Sequence, residues 1–403
     1  MIRYINTNRK EDCCGCRACE QICKHNAISL EIDEEGFLYP ILDNSACVNC
    51  GLCEKVCPME QAEHILYKEG KIFAAQNKNK KDLFTSSSGG VFSAIAKSII
   101  LDKGVVYGAA FENGPSLCHK RVTTVDGLEM LKGSKYLQSD IKKTFVSVRQ
   151  DLKAGLKVYF VGTPCQVAGL RLFLRNDYES LFTSDFVCHG TPSNKVFCNT
   201  ISQIEKKIGG YFKNYSFRDK RVKGWNCSSS SSSWDIGGKE KNIIYSKDME
   251  AYFNAFISGD MMRMNCYKCP FARHERCSDI TLADYWGVRV YDPDFPSIGK
   301  GVSMILLNTE KGELLFNSMR AGFNTREIPI SHTVRNKNFH TPSTLTANRN
   351  DSYKLAFNDY DAFIERYYTK NYFISYVKVF LEFQLRKSHF LLSIVSLIKR
   401  MMK

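Results

Sequence analysis

Two cysteine runs near the amino terminus constrain this chain more than any other feature. Cys13, Cys16, Cys19 and Cys23 follow the spacing C-x2-C-x2-C-x3-C, and Cys47, Cys50, Cys53 and Cys57 repeat it, with Pro58 behind the last. In this pattern three closely spaced thiolates hold one corner set of a cubane while the fourth reaches across to a second cluster. The spacing therefore predicts one 4Fe-4S cluster on Cys13, Cys16, Cys19 and Cys57 and another on Cys47, Cys50, Cys53 and Cys23. Zinc knuckles, the competing reading, need two well-separated pairs of ligands and leave the third cysteine of each run without use. Lys24 stands where a proline is expected after the first run, and Cys14 adds a thiol beside a ligand. Neither departure removes a ligand.

Between the runs, AISLEIDEEGFLYPIL reads as two short strands about an Asp-Glu-Glu-Gly turn. Residues 1–62 are thus expected to form a ferredoxin-like domain with two clusters. The stretch 63–84, polar and Lys-rich with NKNKKD at its centre, reads as a linker to a larger mixed α/β body over 85–340, and 341–403 as a helical extension.

No amino-terminal stretch has the make-up of an export signal, and no run of eighteen uncharged apolar residues occurs. The expected compartment is the cytoplasm, where clustered thiols argue for metal or redox chemistry over disulfides. The formal charge of +14 ordinarily points to nucleic acid or anionic membrane, but that tally counts all 17 cysteines as neutral. Three ligated clusters at roughly −2 each and a dinucleotide at about −2 leave the loaded protein near +6. The basicity is accordingly ascribed to cofactors and not to nucleic acid.

In the body, TSSSGGVFSAIAKSIILDKG reads as a helix capped by Ser88 and closed by Gly104, followed by the strand VVYGAAF. Two glycines in its first turn admit a ligand close to the backbone, and the helix dipole favours an anion such as a flavin phosphate. A purely structural Ser-Gly helix start is the alternative. KVYFVGTPCQVAGLRLFL repeats strand, tight turn and helix, and LFTSDFVCHGTPS is another apolar run ending at Cys188. Such alternation favours an α/β sheet whose ligands gather beyond the carboxyl ends of strands, where Cys165 and Cys188 both stand. No G-x-S-x-G, H-E-x-x-H, Walker A loop or G-x-G-x-x-G is present, so hydrolase chemistry and nicotinamide binding through that fingerprint are unsupported. Further on, Cys266 and Cys269 form a C-x2-C pair with Cys277 eight residues later. Alone, the pair reads as a redox dithiol or half a zinc site; with Cys165 and Cys188, a third cluster becomes a further reading.

The succession SSSGGVFSAIA, GSKYLQSD, VGTPCQVAGL, VCHGTPS, FRDKRVKGW and SDITLADYWG resembles the family of coenzyme F(420) hydrogenase/dehydrogenase β subunits, in the branch that begins with a two-cluster ferredoxin domain. The likeness runs from residue 11 to about 290. It implies an iron-sulfur flavoprotein oxidoreductase that binds FAD beside a 4Fe-4S cluster and moves electrons between iron-sulfur centres and an organic substrate. Carried over, Cys165, Cys188, Cys266 and Cys269 are the third cluster's ligands, with Cys277 in reserve. Ser87, Ser88, Gly89 and Gly90, with Gly133, Ser134, Lys135 and Tyr136, become the FAD contacts, and Lys135 faces the flavin N1/C2=O edge, where a cation stabilises the anionic reduced ring. The substrate is unassigned; the branch's association with surface-polysaccharide synthesis makes a sugar-derived group one expectation.

His189 is a candidate proton shuttle, or else a ring that orients the neighbouring loop. Arg218, Lys220, Arg221 and Lys223 are candidate contacts for substrate phosphate or carboxylate, with plain surface solvation as the competing account. CSSSSSSW, residues 227–234, fits a β-rich insertion rather than a domain boundary. The tail 371–403 has helical periodicity; packing on the body is expected, with peripheral membrane contact through FLLSIVSLI as the alternative. Reduced ferredoxin is the expected electron donor, and an electron-transfer subunit that docks on a separate catalytic partner is the second reading.

Overall fold

The computed structural model describes residues 2–68, 70–225 and 230–387. It is a mixed α/β protein with a small cysteine-rich head, a large mixed sheet and a helical carboxyl-terminal segment. In the head, β1 (Ile28–Ile32) and β2 (Leu38–Leu42) pair antiparallel. Asp33 builds the turn between them, its Oδ1 accepting from the amides of Glu35 and Phe37 at 3.1 and 2.8 Å. Gly36 sits in that turn at φ +92°, and a Cβ there would lie 2.4 Å from the Cβ of Lys195. Only glycine lets the hairpin tip lie this close to the body.

The body strands are β3 (Lys71–Asn77), β4 (Val105–Glu112), β5 (Ser116–Val122), β6 (Val158–Val161), β7 (Leu181–Phe186), β8 (Tyr211–Ser216), β9 (Ser231–Ile236), β10 (Lys239–Ile243), β11 (Ile280–Asp284), β12 (Ser303–Leu307) and β13 (Phe323–Glu327). Eight of them form one sheet in the order β13-β3-β12-β11-β7-β6-β4-β5. Its centre, β11, β7, β6 and β4, is parallel, and both flanks are antiparallel. Inner parallel strands are covered on both faces, which is why VYFV is apolar throughout. Val158 and Phe160 pack with Phe145, Leu170 and Phe173 on one face; Tyr159 packs with Ile95 and Ile99 on the other.

The stretch 63–84 is not a linker. Its apolar residues, KIFAAQN, form β3, buried from Ile72 to Asn77 between β12 and β13, and Lys80–Thr85 is a short helix capped by Asn79. Lysines on either side of the buried run gave the segment its polar look. The next helix starts later than expected, at Val91, with Gly90 (φ +81°) and not Ser88 in the capping position. The Ser88 hydroxyl instead donates to the Val302 carbonyl at 3.1 Å. β9 does lie within the serine-rich insertion, as the middle strand of the antiparallel sheet β10-β9-β8; residues 226–229 lie outside the described part of the chain.

Polar connections at several points fix the head on the body. Arg17 pairs with Asp140 at 2.5 and 3.1 Å, and Arg349 forks onto Glu35 with both bonds at 2.6 Å. Gln21 Oε1 accepts from the Phe145 and Val146 amides, and Gln138 donates to the Cys14 carbonyl at 2.8 Å. The helix Tyr372–Lys387 rests on the body through Val379, which packs with Val222 and Tyr245. Among the described residues no helix is long and apolar enough to cross a membrane; FLLSIVSLI lies outside them.

Candidate functional site

All described cysteines are free thiols. In the head they form two groups. Burial, with Cys13 and Cys57 alongside, pushes the Cys19 thiol well up; burial and Cys13 push Cys57 up to about 12. Cys16 hydrogen-bonds Cys14 and lies in the same group, with Cys19 and Cys57 beside it. Cys23, Cys47, Cys50 and Cys53 line a separate cavity of about 100 Å³. Gly51, at φ +71°, turns the chain between Cys50 and Cys53. Among the described residues no three His, Cys, Asp or Glu side chains close on a point as a single metal ion requires. A cubane differs in that its core has its own volume and holds four thiolates apart, and the cavity walled by four cysteines fits that group.

The body thiols are brought together by the parallel strands. β6 ends at Val161, and Gly162-Thr163 turns the chain into the helix Pro164–Leu174, where Thr163 and Gln166 form a capping box and Pro164 sits in the first turn. This places Cys165 at the helix start, its sulfur 3.2 Å from the Thr163 hydroxyl. β7 ends at Phe186, two residues before Cys188. The 3-10 turn Met264–Lys268 brings in Cys266, whose sulfur is 3.8 Å from the Thr191 hydroxyl, and Cys269 follows. Burial, then the sulfurs of Cys266, Cys165 and Cys269, pushes the Cys188 thiol well up. Burial beside Cys165 and Cys266 takes Cys269 to about 12. Four enclosed sulfurs that resist ionising in one another's company suit a cationic iron core, which deprotonates coordinating thiols outright.

A fifth sulfur joins them and the reserve candidate does not. Cys14 hydrogen-bonds Cys165, the largest influence on that thiol, and also Cys16, so it lies where the head and body sets meet. Cys277 is turned elsewhere, toward the Pro164 carbonyl at 3.2 Å and Asp185 at 3.6 Å.

Beside the body thiols, over the carboxyl ends of the parallel strands, opens a cavity of about 570 Å³ lined by Cys188 and by both segments expected to touch a flavin. Those segments meet: the Ser134 amide donates to Ser87 Oγ at 2.7 Å. Ser87, Ser88, Gly90, Gly133, Ser134, Lys135 and Tyr136 all line the cavity. The helix Val91–Leu101 has no side-chain cap, which leaves its first amides for an anion. Gly89 does not face the cavity: its amide donates to Ser303 Oγ at 2.9 Å, and a Cβ there would lie 2.2 Å from the Ala75 carbonyl oxygen. It packs the loop against the sheet.

Lys135 donates to the carbonyls of Met130 and Lys132 at 2.9 and 2.8 Å, and burial lowers its pKa to about 7. His189 lines the cavity with both ring nitrogens engaged, Nδ1 3.0 Å from Asn338 Oδ1 and Nε2 3.2 Å from the Ile257 carbonyl; this arrangement suits orientation better than proton shuttling. Among the four cations of FRDKRVK, Arg218 lines the cavity, paired with Asp284 at 3.0 Å and stacked over Trp286. Lys220 is buried and supports the serine loop through the Leu83 and Ser88 carbonyls at 2.7 and 2.6 Å. Arg221 returns to Asp219, and Lys223 lies over the Tyr245 ring. The sequence reading missed His119, which lines the cavity from β5, bridges Ser139 Oγ and the Val161 carbonyl, and is lowered to about 4 by burial.

Comparison with known proteins finds two family models that match parts of the chain. Residues 12–61 match the 4Fe-4S dicluster domain, and residues 155–331 match the carboxyl-terminal domain of coenzyme F(420) hydrogenase/dehydrogenase β subunits. The chain joins a dicluster ferredoxin head to a body of the coenzyme F(420) hydrogenase/dehydrogenase β-subunit type. It is similar to the coenzyme F(420)-dependent sulfite reductase of Methanocaldococcus jannaschii, at 27% identity over 81% of this chain and 49% of that protein. It is also similar to one of the subunits of the F(420)H(2) dehydrogenase of Methanosarcina mazei, at 26% identity over 42% of this chain and 50% of that protein. The matches span about half the length of these curated relatives. Among solved structures, one from the F(420)-reducing NiFe hydrogenase complex of Methanosarcina barkeri aligns with a TM-score of 0.42 and 16% identity, over 75% of this chain and 92% of that one.

Proposed function

We propose that this chain is an iron-sulfur flavoprotein that relays electrons between a one-electron carrier such as ferredoxin and an organic two-electron substrate. The observation that carries the proposal is the convergence of Cys165, Cys188, Cys266 and Cys269 beside the large cavity, which Cys188 lines, with Cys14 linking them to the head. In this reading Cys13, Cys16, Cys19 and Cys57 hold one cluster, Cys23, Cys47, Cys50 and Cys53 a second, and the four body thiols a third, with FAD in the cavity. Bound there, the clusters pass single electrons and the flavin collects two for transfer. Ser87, Ser88 and Gly90 position the nucleotide at the uncapped helix start. Lys135, held at the cavity wall by the Met130 and Lys132 carbonyls, is the residue to meet the flavin N1/C2=O edge, and His189 keeps the wall beside Cys188 in place through Asn338.

Both relatives carry coenzyme F(420) in their names, which makes a deazaflavin the first substrate to assay; a sugar-derived group is the second. A subunit role is the alternative, favoured by the half-length matches: in that case a separate chain supplies the substrate chemistry. Anaerobic purification with iron, sulfide and flavin quantified tests the scheme. About twelve irons and one FAD per chain are expected, and about eight irons would leave the body thiols without a cluster.

A further inference from the structure

We infer that Arg263 is the buried counter-charge at the junction of head and body, and that it raises the potential of the head cluster held by Cys13 without touching the second head cluster. The inference rests on the cluster assignment proposed above. Arg263 is fully buried. Its Nε donates to the Cys13 carbonyl at 2.8 Å, Nη2 to the Leu38 carbonyl at 2.8 Å, and Nη1 to Gln138 Oε1 at 3.3 Å. The guanidinium lies over the Tyr39 ring, 4.1 Å from its centroid, with Phe37 at 5.5 Å. These partners are all neutral.

The other buried arginines make clear what is unusual. Arg276 has Asp185 at 3.2 Å, Arg349 has Glu35 at 2.6 Å, and Arg218 has Asp284. Among the described residues no carboxylate pairs with Arg263. An arginine stays protonated even when enclosed, and an enclosed charge without a counter-charge is strongly unfavourable. The one candidate counter-charge its guanidinium touches is sulfur: Nη2 lies 3.5 Å from Cys13 Sγ. That sulfur carries negative charge once it ligates iron.

The backbone of the same residue belongs to the other site. Its amide donates to the Thr191 carbonyl, and its carbonyl accepts from the Cys266 amide, both at 3.0 Å. Arg263 thus begins the turn that presents Cys266 while its side chain crosses to the head. The head is shaped to receive it: Gly15, at φ +69°, would place a Cβ 3.0 Å from Nη1. A fixed positive charge at a ligand sulfur favours the more negative, reduced state of that cluster and so raises its potential. Cys23, Cys47, Cys50 and Cys53 enclose their own cavity, which Arg263 does not line.

The test is a redox titration of the full chain, purified anaerobically and followed by electron paramagnetic resonance, with Cys50→Ser used to assign the two head signals. Arg263→Met is expected to lower the midpoint of the Cys13-bearing cluster and leave the other head cluster where it was. Arg263→Lys, which keeps the charge but loses the fork, should fall between. Equal shifts in both head clusters, or no shift with iron content intact, would overturn the inference, because a merely structural arginine moves neither selectively. If the Met variant does not hold iron, Arg263→Lys and Gly15→Ala, which displaces the guanidinium without deleting it, are read instead; loss of iron in these as well would also overturn it. Wild-type protein without two head signals sinks the cluster assignment itself.

Discussion

The head collects its thiols from residues 13–57, where neighbours in sequence are neighbours in space. The body collects Cys165, Cys188, Cys266 and Cys269 from the ends of separate strands and a distant turn. The first arrangement is a property of local spacing and needs only a hairpin and two short turns. The second exists only while β6 and β7 lie in register and the 263–269 loop closes over them. Damage to the sheet should therefore reach the body site first, and the head only through the core that Cys16, Ile22 and Val56 share with Phe145 and Phe173.

Single thiol deletions give the largest contrast. Cys188→Ser is expected to remove about four of twelve irons and leave both head signals, whereas Cys50→Ser removes a head signal and leaves the body site. If Cys188→Ser also abolished the head signals, the two sites would not be separate units. Next in size, Phe160→Ala opens the core between Phe145 and the helix Pro164–Leu174 at a cost of about 3–5 kcal/mol. Anaerobic denaturation read at the body site and at the head cluster that carries Cys50 should find the larger loss at the former; equal loss at both would break the distinction. The smallest effect is a pH slope. His119 is held neutral by burial, with its pKa lowered from 6.5 to about 4. Between those values the unfolded chain binds the extra proton, so stability falls as pH drops, by about 2 kcal/mol at pH 5 relative to neutrality. His119→Gln should flatten the stability profile between pH 6.5 and 4, and an unchanged slope would exclude His119 as its source.

What could be read from the sequence follows the same division. The head was legible because cubane ligation fixes short spacings, and the hairpin carried its own Asp-Gly turn. Cys165 and Cys188 were legible as strand ends, because VYFV and LFTSDF break at glycine or histidine-glycine turns. β3 was hidden because its apolar core, IFAA, is short and flanked by lysines on both sides. That Gly89 packs against the sheet instead of facing the cavity with Gly90 is a tertiary fact. Arg263, in MMRMNC, carries no local signal; its burial against Cys13 comes from folding residues 250 positions apart onto each other.

β3 also bears on how the protein is made. It lies just past the head, yet both its partners, β12 and β13, come from beyond residue 300. During synthesis the head emerges complete while this strand still waits, unpaired, for most of the chain. The eight proposed head ligands, Cys13, Cys16, Cys19, Cys23, Cys47, Cys50, Cys53 and Cys57, are thus all made before β3 can pair, whereas Cys165, Cys188, Cys266 and Cys269 come together only once the sheet can close. The two sets of thiols are thus completed at different points of synthesis.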